Sequence, residues 1–214
     1  SAQLPFLFFL INYLGQYCNR TMKEETILKN EWVKRFDLTA VTQSKYYKIV
    51  GCFAIGFERL KIRGDIHPYF VIYPLWEEDV KKCFWGPFLY HHIKDSKGLP
   101  YYLSISQMLE KKEEIFLNAE NYINFDLRKN IHKDTLLKVI NAYSNERYSV
   151  PSAQYATIEM KVRMATFLND ESLFEQAIVD MEIAYAKYNS IFEEYLGKLD
   201  DWKNKLISVF SNRQ

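Results

Sequence analysis

The chain has 214 residues, of which 48% are hydrophobic and 26% are charged, proportions that are ordinary for a folded protein and exclude a disordered chain. Aromatic residues make up 16%, whereas there are only 7 glycines and 6 prolines, so the composition favours a compact body rich in helices. The formal net charge is +1, which excludes an overall field that would steer the protein to nucleic acid or to an anionic membrane.

The N-terminal segment from Leu4 to Leu14 is almost wholly apolar and is broken only by Asn12. It is about half as long as the roughly 20 residues that span a bilayer, and it lacks the basic start and cleavage site of a signal peptide. We therefore expect no transmembrane segment. The pattern predicts a buried helix over residues 5–18, with an interface or membrane-surface helix as the alternative.

A second helix is predicted over residues 22–36. Thr21 and Glu24 have the spacing of a capping box, and apolar residues then recur at helical intervals. Residues 37–44, which are rich in Thr and Ser, predict a loop.

From Tyr46 onward the period of the pattern changes to two, which is typical of a strand. Arg63-Gly64-Asp65 predicts a turn and residues 68–75 a second strand, so the two strands should pair as an antiparallel hairpin. Residues 83–93 and 99–105 are also aromatic and strand-like. We therefore predict a small antiparallel sheet of three or four strands.

Beyond Ser106 the strand pattern ends, and the fold class is predicted to be α+β. The sheet and its helices should occupy residues 1–105, and residues 106–214 should form a helical region that packs on the first as one unit. The helices of this second region are predicted over residues 107–124, 134–145, 153–168 and 171–210.

The last of these helices carries an apolar stripe with alternating spacings of four and three. This heptad spacing keeps one face of a helix against a partner. The flanking positions include Ile191 and Leu196, and the stripe itself is rich in aromatics, so packing in a helical bundle is favoured over a free two-stranded coiled coil. The stripe consists of Phe174, Ile178, Met181, Tyr185, Tyr188, Phe192, Tyr195, Leu199, Trp202, Leu206 and Val209.

A single straight helix across this stripe would be about 54 Å long at 1.5 Å per residue, longer than a domain of this size covers. Part of it should therefore project and meet a second copy or another protein. We expect the contact at the C-terminal end, through Leu199, Trp202, Leu206, Val209 and Phe210.

Three cysteines, Cys18, Cys52 and Cys83, are far apart, odd in number and without a CxxC spacing. They predict reduced side chains that serve packing, which is typical of a cytoplasmic protein.

The sequence contains no Walker loop and no GxGxxG, GxSxG or HExxH motif, so we expect neither a cofactor nor a metal site. The catalytic candidates are His91, His92, Glu58 and Asp65. A histidine here could act as a general base, and the two carboxylates flank the hairpin turn. Adjacent histidines on a strand point to opposite faces, so they cannot serve one metal together.

Residues 159–161 spell the Glu-x-Lys pattern of metal-dependent nucleases, but that motif needs a strand, and this segment is predicted to be helical. We therefore expect a non-catalytic cytoplasmic protein that acts through protein–protein contacts, as a scaffold, adaptor or regulatory subunit. A metal-dependent hydrolase or nuclease with a dispersed site is the alternative, and a ligand-binding module with an aromatic pocket on the sheet is the second. No nucleic-acid partner is indicated.

Overall fold

The computed structural model describes residues 22–77, 79–146 and 150–211. The helix predicted over residues 5–18 and the thiol of Cys18 lie outside the described residues. Within these ranges the chain forms eight helices and one five-stranded antiparallel sheet, which confirms the α+β class. None of the described helices combines the length and the apolar character needed to cross a bilayer.

All five strands lie between the first and the third of the described helices in the chain, and the two longest helices follow them. The helices are α1 (22–36), α2 (Val80–Cys83), α3 (Ile105–Glu110), α4 (Lys112–Ile123), α5 (Lys133–Glu146), α6 (Pro151–Leu168), α7 (Glu171–Leu196) and α8 (Leu199–Ser211). The strands are β1 (Thr39–Ala40), β2 (Lys45–Val50), β3 (Phe53–Ile62), β4 (Asp65–Pro74) and β5 (Leu89–His92).

The sheet has five strands and not the three or four predicted, and its strands follow in chain order from β1 to β5. The unpredicted strand, β1, pairs antiparallel with β2, with Thr39 opposite Tyr47. Two residues are too few to show an alternating pattern, so this strand lay within a predicted loop. The strand-like run at 99–105 forms only isolated bridges, one of which joins Leu103 to Ile66.

The contacts of the chain group into two compact units. Helices α3 and α4 belong to the first unit, in which Phe116 of α4 packs against Trp32 of α1. In the described part of the chain, the first unit comprises residues 22–48, 55–72 and 90–130, and the second comprises 49–54, 73–77, 79–89, 131–146 and 150–211.

Aromatic side chains form the core of the first unit. Trp32 is fully buried, and its ring centroid lies 4.8 Å from that of Phe57 and 5.0 Å from that of Phe116. On the same helix, the guanidinium of Arg35 donates two hydrogen bonds of 2.9 Å to the carboxylate of Glu120, a bidentate pair that joins α1 to α4. The amphipathic pattern predicted for residues 22–36 thus serves this core.

Gly56 lies where β2 passes closest to β3. A Cβ at this position would lie 2.0 Å from the carbonyl oxygen of Tyr46, a distance that no side chain tolerates. This close approach of two backbones accounts for a glycine in the interior of a buried strand.

The second unit contains a bundle of α6, α7 and α8. Asn169 ends α6 in the left-handed conformation, with φ of 53°, and the carboxylate of Asp170 caps α7 by accepting a hydrogen bond from the N–H of Leu173 at 3.1 Å. Helix α7 thus begins at residue 171, where the sequence predicts the start of the last helix. The buried core of the bundle consists of Ile158, Val162, Ala177, Met181, Ala184, Tyr185, Phe192, Trp202 and Leu206.

The single helix predicted over residues 171–210 is wrong, because the chain breaks at Gly197. Gly197 adopts φ of 78° and ψ of −163°, a conformation that essentially only glycine reaches. Inside α7, Tyr188 also leaves the helical region, with φ of −118° and ψ of 27°. The apolar stripe is therefore divided between two helices that pack on each other and on α6.

Candidate functional site

The break at Gly197 places the predicted interface residues of α8 against their own chain. Trp202 is only 1% exposed, and its ring centroid lies 5.5 Å from that of Phe192. Phe210 stacks on Phe174 at 4.2 Å. Leu206 is also buried, and Leu199 and Val209 are partly buried against the same core. The apolar side chains of α8 thus pack within the bundle, and a contact of this helix with a partner stays a prediction.

An apolar groove lies instead between the start of α6 and the end of α7. It encloses about 530 Å³. Tyr195 is 75% exposed here, and the neighbouring Ile191 is also exposed. Burial, and then the nearby Glu159 carboxylate, raise the pKa of the Tyr155 hydroxyl, which therefore stays neutral at physiological pH. The apolar groove is lined by Pro151, Ser152, Tyr155, Ile191, Phe192, Tyr195 and Leu196.

Two exposed carboxylates of α7, Glu193 and Glu194, lie between groove residues in the sequence of the helix. Glu194 follows Ile191 by three residues, and Glu193 precedes Leu196 by three, so each carboxylate neighbours a groove residue on the helix. Among the described residues neither forms an ion pair within 4.0 Å. We refer to Glu193 and Glu194 together as the acidic border of the apolar groove.

A polar groove of about 420 Å³ lies elsewhere in the second unit, between α5, α6 and α7. Lys161, which is 9% exposed, donates a 2.7 Å hydrogen bond to Asp180, and Gln176 donates to the other oxygen of that carboxylate at 3.1 Å. This ion pair links α6 to α7. Lys161 belongs to the Glu-x-Lys pattern of the sequence, which lies on a helix as predicted.

The two candidate histidines lie on β5 with different neighbours. The ring of His91 stacks on Tyr122 of α4 at 3.9 Å, whereas that of His92 packs on Tyr69 of β4 at 4.1 Å. The Nδ1 atom of His92 is buried and has no hydrogen-bond partner among the described residues. Burial, and then the charges of His67 and Lys94, lower the pKa of His92 from its ordinary value, which favours the neutral imidazole.

The two candidate carboxylates differ in burial. Glu58 is buried on β3, accepts a hydrogen bond from the hydroxyl of Tyr47, and pairs with the ammonium of Lys45 at 3.3 Å. Asp65 is exposed at the start of β4. Glu58 lies near enough to Tyr90 to contribute, after burial itself, to the raised pKa of that phenol. The structure therefore brings Glu58 within electrostatic range of Tyr90, whose ring stacks on Tyr69, and leaves Asp65 in solvent.

The described residues contain no group of three or more His, Cys, Asp or Glu side chains placed to hold a metal ion. The carboxylates and histidines named above thus do not converge into the metal site that a hydrolase or nuclease would use. No protein-family model, no curated protein and no solved structure matches the chain.

The apolar groove was missed from the sequence, although part of its pattern was visible. Ile191 and Leu196 widen the apolar stripe at positions where a free coiled coil carries charges. Pro151 and Ser152 carry no such signal, because only the fold of the bundle places the start of α6 beside the end of α7.

Proposed function

We propose that this is a non-catalytic cytoplasmic protein that acts through contacts with other proteins, as a scaffold, adaptor or regulatory subunit. The observation that carries the proposal is the apolar groove, in which Tyr195 leaves 75% of its surface exposed. The contact surface is the end of α7 and not the predicted end of α8, because α8 uses its apolar side chains within the bundle.

The character of the groove favours a protein partner. Contiguous apolar surface on a folded protein marks interaction sites, and tyrosine is enriched at protein interfaces. The lining offers few polar groups, whereas a site for a small polar molecule fixes its ligand through several. Its volume of about 530 Å³ is enough for side chains of a partner to insert.

The border of the groove indicates the charge of the partner. Glu193 and Glu194 place two exposed carboxylates beside the apolar lining. A partner that presents an apolar or aromatic side chain flanked by lysine or arginine complements both features, since complementary charge at the rim speeds association and excludes wrong partners.

The state of the cysteines supports the cytoplasmic part of the proposal. Cys52 and Cys83 are both buried and both free thiols. Free thiols that serve packing are typical of reducing compartments.

The test uses a fluorescein-labelled synthetic amphipathic helix with a leucine face flanked by lysines, and a control peptide with glutamates in place of the lysines. Fluorescence anisotropy should show that the lysine peptide binds with a dissociation constant in the micromolar range and that the glutamate peptide binds at least about tenfold more weakly. Tyr195→Asp should abolish binding. The control variant Val179→Asp, at another exposed position of α7, should leave it unchanged.

Equal binding of the two peptides would contradict the proposed role of the acidic border. Unchanged binding to Tyr195→Asp would show that the groove is not the contact surface, and no binding by either peptide would overturn the proposed function.

A further inference from the structure

Trp85 is the most exposed of the described tryptophans. Its side chain is 79% exposed, whereas Trp32 and Trp202 are fully buried. Trp76 is half-buried, with the guanidinium carbon of Arg163 above its ring at 5.3 Å. A fully presented indole is unusual on a protein surface, and tryptophan is among the residues most enriched at interface hot spots.

The segment that presents Trp85, residues 84–88, is held on both sides. Phe84 packs against Tyr73 with ring centroids 5.0 Å apart, and Phe88 packs against Tyr143 at the same distance. The N–H of Trp85 donates to the carbonyl of Lys82 at 3.1 Å. The indole is thus presented by a fixed backbone, which lowers the entropy lost when it binds.

The surroundings of Trp85 complement the border of the apolar groove. Lys81 and Lys82, both exposed, lie in α2 shortly before Trp85. The groove is bordered by Glu193 and Glu194. One surface of the second unit therefore offers an aromatic side chain with two positive charges, and another offers an apolar groove with two negative charges.

We propose that the occupant of the apolar groove is Trp85 of a second copy of this chain, with the two lysines facing the two glutamates across the contact. This inference rests on the proposed function and names its partner. In a two-fold dimer each copy gives its Trp85 to the groove of the other, so the contact closes and occurs twice. A lipid surface fits less well, because Glu77 and Asp79 precede the lysines and offset their charge.

Sedimentation equilibrium of the full chain tests the proposal. The wild type should reach twice the chain mass of 25.6 kDa at concentrations of about 100 micromolar. Trp85→Ala should raise the dimer dissociation constant at least about tenfold, as truncation of an interface tryptophan does. Because Trp85 is exposed, this variant keeps the fold, and its circular dichroism spectrum should match the wild type.

Reversing the charges on both sides of the proposed contact distinguishes it from other ways in which two copies could associate. Lys81→Glu with Lys82→Glu should weaken the dimer, and so should Glu193→Lys with Glu194→Lys. The chain that carries all four changes should regain the affinity of the wild type, since the pairing is restored with reversed sign. A dimer that the four changes do not rescue, or that Trp85→Ala does not weaken, would overturn the proposal.

The peptide assay, repeated on Trp85→Ala, distinguishes the two proposals. If the wild type stays monomeric while the lysine peptide binds the groove, the proposal that a second copy fills the groove is overturned, and the proposed function stays in place. If the wild type stays monomeric and neither peptide binds, both proposals are overturned. Binding of Trp85 to phosphatidylserine vesicles without self-association would assign the indole to a lipid surface and would also overturn the dimer.

Discussion

The strongest test of the bundle is the removal of Trp202, because this side chain joins α8 to the rest of the second unit. Burial of a tryptophan removes about 150–250 Å² from water, which at about 25 cal/mol/Å² corresponds to about 4–6 kcal/mol. The unfolded chain already buries part of that area, so Trp202→Ala should lower the free energy of unfolding by about 3–5 kcal/mol.

A second substitution at the same position separates packing from hydrogen bonding. The Nε1 atom of Trp202 is buried without a hydrogen-bond partner among the described residues, and an unpaired buried donor costs about 1–3 kcal/mol. Trp202→Phe keeps an aromatic ring and removes this donor, so its loss of stability should stay below about 1.5 kcal/mol.

Urea unfolding followed by far-ultraviolet circular dichroism measures both losses, provided that the slope of the transition is unchanged. The matched control is Trp85→Ala, the same substitution at an exposed position. At about 1 micromolar, far below the roughly 100 micromolar at which the proposed dimer forms, it should change the free energy of unfolding by less than about 0.5 kcal/mol. If Trp202→Ala costs less than about 1 kcal/mol, α8 does not pack into the bundle as described.

Three further predictions concern the sheet and its surroundings. Gly56→Ala should destabilise the fold by more than about 3 kcal/mol in urea, because its Cβ would meet the Tyr46 carbonyl; Gly86→Ala, with open space around it, should cost less than about 1 kcal/mol. Burial raises the pKa of Cys52 to about 11, so iodoacetamide should alkylate this thiol slowly at neutral pH in the native protein, and the rate should rise steeply in alkali. Equal rates of alkylation in the native and the unfolded protein would contradict the burial of Cys52. Because the pKa of His92 is lowered in the folded state, the unfolded chain takes up a proton at this residue first when the pH falls below about 6.5. The free energy of unfolding should therefore decrease between pH values of about 7 and 5, and the decrease should be smaller in His92→Gln.

The sequence predicted the elements whose patterns are long. The amphipathic stretch at residues 22–36, the hairpin around Gly64 and the helices α5 and α6 carry repeats of many residues, and burial of one face explains each repeat. The single helices predicted over residues 107–124 and 171–210 are each divided into two, because a short interruption leaves such a repeat almost unchanged. The strand β1 has only two residues and owes its pairing to β2, so no local pattern reveals it.

The break at Gly197 shows why the candidate site could not be predicted in the same way. A glycine inside a helix costs only about 1 kcal/mol, so the apolar stripe is compatible with a continuous helix and with a broken one. Tertiary packing decides between them, because the broken form buries Trp202 beside Tyr155 and Phe192. The apolar groove, and the exposure of Tyr195, follow from that choice.

The conformation of Gly197 determines whether α8 packs within its own chain or within a second copy. A Cβ there would meet only the Asp201 side chain at 3.5 Å, so the obstacle to another residue is the backbone conformation and not space. A residue with a side chain would favour a straight connection between α7 and α8, and α8 would then leave its own bundle while its apolar face still needed the same core. The vacated place in a neighbouring molecule offers that core, so a single substitution at this hinge would favour domain-swapped dimers in which each copy completes the bundle of the other.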